Sequence, residues 1–233
     1  MTSLEMQERF LILYDKITNF DAPGYEDEEI SILLTKAQER VFLSYYNIKG
    51  NRFLEGFELT EARRKELNNL VTNLDFSISV NQNGVLPNGV FYDIPENCLF
   101  VISEEVTFNS DNPCFNGLRA RVKPMTHDQY SINIKNPFKK PSVDFVWRLD
   151  FENKHEIILP QNVTISKYQV RYLRRLNPII TGNFEIEGQQ GPLNCELDRI
   201  LHERVIDEAV KIATAVTEPQ LYQIKSAEQK EGE

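Results

Sequence analysis

Each of the three histidines in this chain is followed at once by an acid: His127-Asp128, His155-Glu156 and His202-Glu203. A histidine beside a carboxylate is raw material for proton transfer or for holding a metal. The spacing argues against both. Neighbours in sequence point apart on strands and on helices, and no HExxH or H-x-H arrangement puts two ligands on one side. Solvated or helix-capping roles are therefore expected of all three. The run Glu26-Asp27-Glu28-Glu29 could be read as a cation site, but it lacks the alternating Asp/Asn and central Gly of a calcium loop. It is read instead as the start of a helix, where exposed N–H groups favour negative charge. Cys98, Cys114 and Cys195 are odd in number, far apart and in no CxxC arrangement. Neither a disulfide framework nor a zinc site is indicated, and a reducing compartment fits. No GxSxG, GxxxxGK(S/T), GxGxxG or paired-carboxylate motif occurs. Tyr45, Tyr46, Trp147, Tyr168 and Tyr172 read as core or sheet packing rather than a base-stacking platform. The expectation is a chain with no catalytic site, no cofactor and no metal.

The elements that would position any site begin with two helices. From Ile30, the residues Leu33, Leu34, Ala37, Val41 and Tyr45 recur at helical spacing, with Asp27 as N-cap and Glu28 and Glu29 in the first turn. Before them Phe10, Leu13, Tyr14 and Ile17 form a second stripe, and Thr2 with Glu5 has the spacing of a capping box. A third helix is expected over 60–74. From Phe76 to about Phe184 short runs rich in β-branched and aromatic residues alternate with Gly, Pro and Asn clusters: FSISV, VFYDI, LFVISEEVTF, LRARVK, YSINI, VDFVWRLDF, HEIIL and VTISKYQVRYLRRL. This pattern predicts an antiparallel region of six to eight strands rather than alternating βαβ units. Helical signals return at Pro192, with Asn194 as cap and Leu197, Leu201, Val205, Ala209, Ile212, Ala213 and Val216 on one stripe. The fold class expected is α+β. Residues 1–75 and 192–218 form a helical bundle, 76–191 an inserted antiparallel β domain, and 219–233 an extended tail.

A chain of 233 residues with 41% apolar and 26% charged residues has enough material for a core. It carries no signal-peptide pattern and no apolar run long enough to span a membrane. The net charge of −9 is uneven. Residues 1–114 hold 19 acids and 9 bases, 115–150 hold 3 and 7, and 151–233 hold 13 and 10. The basic island reads as a solvated sheet face, or as a contact for an acidic protein surface or for phosphate; Arg119, Arg121 and Lys123 alternate as one strand face with no Gly-rich loop, so it is not read as a nucleic-acid site. In the tail, Pro219 ends the helix, and Leu221, Tyr222 and Ile224 form an apolar triplet with nothing obvious to bury it.

Three stretches carry a resemblance: ERFLILYDKITNFDAPGYEDEEISILLTKAQERVF near the start, NPFKKPSVDFVWRLDF in the middle, and ISKYQVRYLRRLNPII followed by LHERVIDEAVKIATA towards the end. In that order and spacing they resemble the ring or adaptor proteins of the head-to-tail connector in crAss-like and related short-tailed bacteriophages. The resemblance implies a structural virion protein, made in the host cytoplasm, of which twelve copies form a ring below the portal and continue the DNA channel into the tail. It implies no catalysed reaction and no cofactor. The partners implied are further copies of the chain, the portal, neighbouring tail or ring proteins, and passing double-stranded DNA held without sequence-specific binding; no membrane is involved. Pro219, Leu221, Tyr222 and Ile224 would then be a partner-docking tail. An acidic helical half and a basic β island suit the unlike faces that a closed ring joins. The rival reading is a cellular protein- or ligand-binding module that uses the β domain as its platform.

Overall fold

The computed structural model describes residues 1–17, 24–46, 65–77 and 82–217. It is an α+β protein whose chain divides into two compact units, residues 1–70 with 176–233 and residues 71–175.

In the first unit α1 (Ser3–Ile17) and α2 (Asp27–Tyr46) follow the two apolar stripes. The capping box forms at α1: Glu5 N–H donates to Thr2 Oγ1 at 3.2 Å, and Thr2 N–H donates to Glu5 Oε2 at 3.0 Å. Met6, Phe10 and Tyr14 on α1 and Ile30, Leu34, Ala37, Val41 and Phe42 on α2 are buried. At the other end of the unit a 3-10 turn at Arg199–Leu201 is capped by Asp198, which accepts from Ile200 N–H at 3.0 Å. The chain then runs into a long helix at His202–Thr217, whose Val205, Ile206, Ala209, Val210 and Ala213 are buried. This helix packs against both α1 and α2. Asn194, expected to cap it, instead accepts from Ser3 N–H at 2.7 Å and so serves α1.

Residues 177–196 belong to this unit, not to the β region. They make a hairpin. Asn177 N–H and Nδ2 donate to Glu196 at 3.0 and 2.9 Å, and Ile180 and Leu193 exchange backbone bonds of 3.0 and 2.9 Å. The reversal sits at Glu187 and Gly188, both at positive φ (52° and 77°), the geometry that lets two residues turn a hairpin.

The second unit is an eight-stranded sheet built from β1 (Val71–Ser77), β2 (Gln82–Asn83), β3 (Gly89–Asp93), β4 (Cys98–Asn109), β5 (Arg119–Pro124), β6 (Phe145–Phe151), β7 (Lys154–Ile158) and β8 (Thr164–Arg174), in the order β1-β8-β4-β5-β6-β7-β3-β2. Side chains alternate between its faces. The sheet curls so that one face encloses Tyr92, Val106, Phe108, Val146, Ile157, Tyr168 and Val170. Trp147, Leu149 and Ile158 lie on the opposite face, under Met125, Tyr130 and Ile134. β6 is thereby buried on both sides, as its near-continuous apolar run requires.

Three further expectations, of secondary structure and strand direction, are corrected. The helix expected over 60–74 does not reach Leu74: Asn68–Leu70 is a 3-10 turn, Val71–Ser77 is β1, and residues 60–64 lie outside the described residues. Thr72, Leu74 and Phe76 alternate at period two, and pairing with β8 overrides the helical spacing also present there. The region is not wholly antiparallel, because β5 and β6 run parallel. Parallel neighbours need a crossover, and the run YSINI, expected as a strand, lies in it as α3 (His127–Asn133). Thr126 caps α3 by accepting from Gln129 N–H at 3.4 Å. We label the His202–Thr217 helix α4.

Candidate functional site

Two places in the β unit combine chemistry with defined geometry. The first is a buried network contributed by four strands. Glu104 of β4 pairs through Oε2 with Arg148 of β6 and accepts from the Tyr168 hydroxyl of β8 on Oε1. With its proton committed to Glu104, the phenol oxygen is the acceptor left for His155 Nδ1, 2.9 Å away on β7. Arg148 Nε reaches Asp150 Oδ1 at 2.8 Å. Glu104, Arg148 and His155 are each at most 9% exposed and Tyr168 is fully buried. Burial alone would lower the Arg148 pKa, but Glu104 and Asp150 outweigh it and raise the pKa above its ordinary value. Burial first, and Glu104 second, push Tyr168 well above the usual phenol range. The guanidinium is held charged and the phenol protonated, which suits a fixed structural lock.

A cleft of about 930 Å³ opens among the loops of the same unit, lined largely by amides and hydroxyls such as Asn83, Asn88, Asn109, Asn162 and Thr164. None of the five network residues lines it. The network lies apart from this cleft and ties four strands of the sheet together. Near the cleft Glu156 is fully buried, and its Oε1 accepts from Leu86 N–H at 2.8 Å. A Cβ on Gly84 or Gly89 would fall 2.3 or 2.4 Å from that oxygen, so the close approach of the carboxylate requires glycine at both.

The second place is the exposed face around β5 and the crossover. Arg119, Arg121 and Lys123 are exposed on alternate positions of β5, and Lys123 Nζ stands 4.0 Å from the Phe145 ring centroid. In the crossover, Lys139 N–H donates to Asn136 O at 3.1 Å and Phe138 N–H to Asn136 Oδ1 at 3.0 Å. Asn136-Pro137-Phe138-Lys139 is thus a tight turn with proline at its second position, where its fixed φ is favoured. It presents Phe138 at 94% exposure between exposed Lys135, Lys139 and Lys140.

The residues singled out from sequence fare unevenly. His127 is exposed, but His155 and His202 are buried, which corrects the expectation of solvated or capping histidines. His202 Nε2 donates to Leu197 O at 3.0 Å and its Nδ1 lies 3.1 Å from the Met1 amine; burial lowers its pKa. Adjacent His–acid residues do separate, since His155 faces the network while Glu156 reaches the Leu86 amide on the other face. Glu26 to Glu29 do open α2, but Asp27 lies in the first turn and accepts from Gln7, while Glu29 Oε2 takes the Glu26 N–H at 3.0 Å. Trp147, Tyr168 and Tyr172 are core residues. The cysteines are free thiols, and burial pushes Cys98 and Cys195 up to about 11. Among the described residues no group of three or more His, Cys, Asp and Glu could hold a metal ion, and no helix is long and apolar enough to cross a membrane. Pro219, Leu221, Tyr222 and Ile224 lie outside the described residues. The sequence reading passed over Phe138, although the signal was there: a large aromatic inside a turn cluster, between lysines, has nothing local to cover it.

A family model described as phage tail ring protein 3/4 matches residues 1–224. The chain belongs to this family. Two curated relatives come from Bacteroides phage crAss001. "Ring protein 3" is 32% identical over 221 residues, covering 91% of this chain and 95% of the relative, and "Ring protein 4/5" is 29% identical over 224 residues, covering 91% of each. The match spans both units, so neither the helical nor the β unit is an addition to the ring-protein fold. A phage structural protein of the ring family is the coarse identity, and it sets aside the cellular binding module.

Proposed function

We propose that this chain forms a closed homo-oligomeric ring of twelve copies in the phage head-to-tail connector, below the portal, through which DNA passes into the tail. The observation that carries this reading is the ring-family match over residues 1–224, nearly the whole chain. The charge distribution supports it. The helical unit holds 24 Asp and Glu against 14 Lys and Arg, and the β unit 11 against 12, so one chain offers a strongly acidic and a near-neutral part with a basic face. Heterologous ring contacts join unlike surfaces. Acidic residues facing a channel would repel phosphate and keep the duplex from adhering without any sequence-specific contact.

In this reading the two units act as separate domains, a bundle of α1, α2 and α4 and an inserted β domain. No reaction is catalysed and no cofactor is used. Pro219 to Glu233 is the segment that docks on the portal or on a neighbouring ring, led by Leu221, Tyr222 and Ile224. The protein is made in the host cytoplasm and ends in the virion. Cryo-electron microscopy of particles tests the whole proposal. A closed ring at the head-to-tail junction that fits this chain is the expected result, and a particle without the chain at that junction overturns it.

A further inference from the structure

Resting on the ring reading above, we infer that the Phe138 turn is the plug of the subunit-to-subunit contact and that it seats on the outward face of α1 in a second copy of this chain. Phe138 is the most exposed large apolar side chain among the described residues, and α3 adds Ile132 at 70% exposure in the same crossover. A phenyl ring held in water by a proline-fixed turn pays little further ordering cost on binding, which is the property of an interface anchor. Around it Lys135, Lys139 and Lys140 are exposed and pair with no acid among the described residues. The surface is thus an apolar point inside an unneutralised positive ring.

The chain carries the complementary surface. On the side of α1 away from the buried Met6, Phe10 and Tyr14, the exposed residues Leu4, Glu8, Ile12 and Asp15 follow one another at three and four residue spacing. Leu4 and Ile12, one turn either side of Glu8, are 57% and 54% exposed. Glu8 and Asp15 pair with no cation among the described residues, and Arg9, an exposed base on the same helix, is paired with Glu203. α2 offers a weaker match: its exposed Ile32 and Leu43 share their face with Lys36 and Arg40 as well as with Glu28 and Glu39. The Leu4–Asp15 stripe on α1, whose described charged side chains Glu8 and Asp15 are both acids, is therefore the seat that attracts three lysines. One copy's β unit would meet the next copy's helical unit, the unlike pairing that a ring repeats.

The test replaces Phe138 with a photoreactive benzoylphenylalanine in the full chain carried by the phage, followed by irradiation of particles and peptide mapping. The expected product has twice the chain mass and joins residue 138 to residues 1–17 of a second copy. In parallel, K135E/K139E/K140E lowers the copies per particle at least tenfold, and adding E8K/D15K to the same chain restores them. The fluorescence of Trp147 confirms that the purified triple variant is folded, since none of the three lysines is paired with an acid among the described residues. Crosslinking to the portal or another virion protein, absence of any crosslink in a chain seated in its ring, or failure of the charge swap to rescue would each overturn the inference and leave the ring reading standing. Wild-type chain found outside any ring would remove both.

Discussion

In the helical unit the buried polar side chains among the described residues are Ser3, Ser31, Thr35, Gln38, Thr181, Thr214 and His202, whereas the β unit buries Glu104, Arg148, His155 and Glu156. None of the first set carries a charge at neutral pH, the histidine being held towards its neutral form by burial. The difference follows from what each unit must join. Helices satisfy their own backbone, so the helical unit needs polar contacts mainly where the 177–196 hairpin lies on α2. There Ser31, Thr35 and Gln38, at positions i, i+4 and i+7, take or give bonds with Thr181 N–H, Ile179 N–H and Asn177 O at 3.1, 3.0 and 2.9 Å. Three neutral side chains complete the backbone of an extended segment. In the β unit the last β4–β5 pair is Glu105 with Arg121, while β5 stays with β6 as far as Pro124 and Arg148. The Glu104–Arg148 pair bridges β4 and β6 just where β5 has parted from β4, and a span across a missing strand needs long side chains with strong mutual attraction.

Removing one partner of the buried ion pair is the harshest way to break this contrast. Arg148→Met leaves Glu104 desolvated and unpaired and should destabilise the β unit by about 3–5 kcal/mol. The chain has a single tryptophan, Trp147 in this unit, so the urea midpoint read by its fluorescence reports the loss directly. The double variant E104L/R148M should recover most of it, because two apolar side chains there restore a matched interior. If the double variant were as unstable as the single one, the network would be serving something other than closure of the sheet.

Much of the helical unit is legible in the sequence because its rule is local. The stripes on α1, α2 and α4 and the Thr2–Glu5 capping box need only positions three, four or seven apart. The long strands β4, β6 and β8 are legible for the same reason at period two. What escapes is whatever depends on distant partners. Val71–Ser77 carries both periods and is decided by β8, almost a hundred residues away. YSINI has strand-like residues, yet its place in a parallel crossover and its Thr126 cap make it helix. The network draws on positions 104, 148, 150, 155 and 168, and nothing local marks Glu104 as inward and Glu105 as outward until the pairing of β4 is known.

On the helical side the matching perturbation is gentler. Ser31→Ala leaves Thr181 N–H buried without its acceptor and should cost about 1–3 kcal/mol, the usual range for an orphaned buried donor. The loss should appear in the helical circular dichroism, with the Trp147 transition unmoved. A common shift of both signals would mean that the two units unfold as one.

Acidification sharpens the comparison further. The His202 pKa is lowered from the ordinary 6.5 by burial, so the unfolded chain binds this proton more readily than the folded one. Its contribution to stability is complete above 6.5, and is lost as pH falls from there through the lower folded value. The helical transition should therefore weaken over that window, and His202→Gln should flatten the slope. An unchanged slope would place the acid sensitivity elsewhere.

The smallest expected effect falls on the most exposed residue. Phe138→Ala removes a ring that is 94% exposed, so both transitions should stay within about 0.5 kcal/mol of wild type. A buried aromatic of the same unit, such as Phe108, should cost about 3–5 kcal/mol when cut to alanine. The contrast separates residues kept for folding from residues kept for contact. If Phe138→Ala instead lowered the Trp147 midpoint by more than 1–2 kcal/mol, the ring would be packing within the chain in solution, and the turn would belong to the fold rather than to its neighbour.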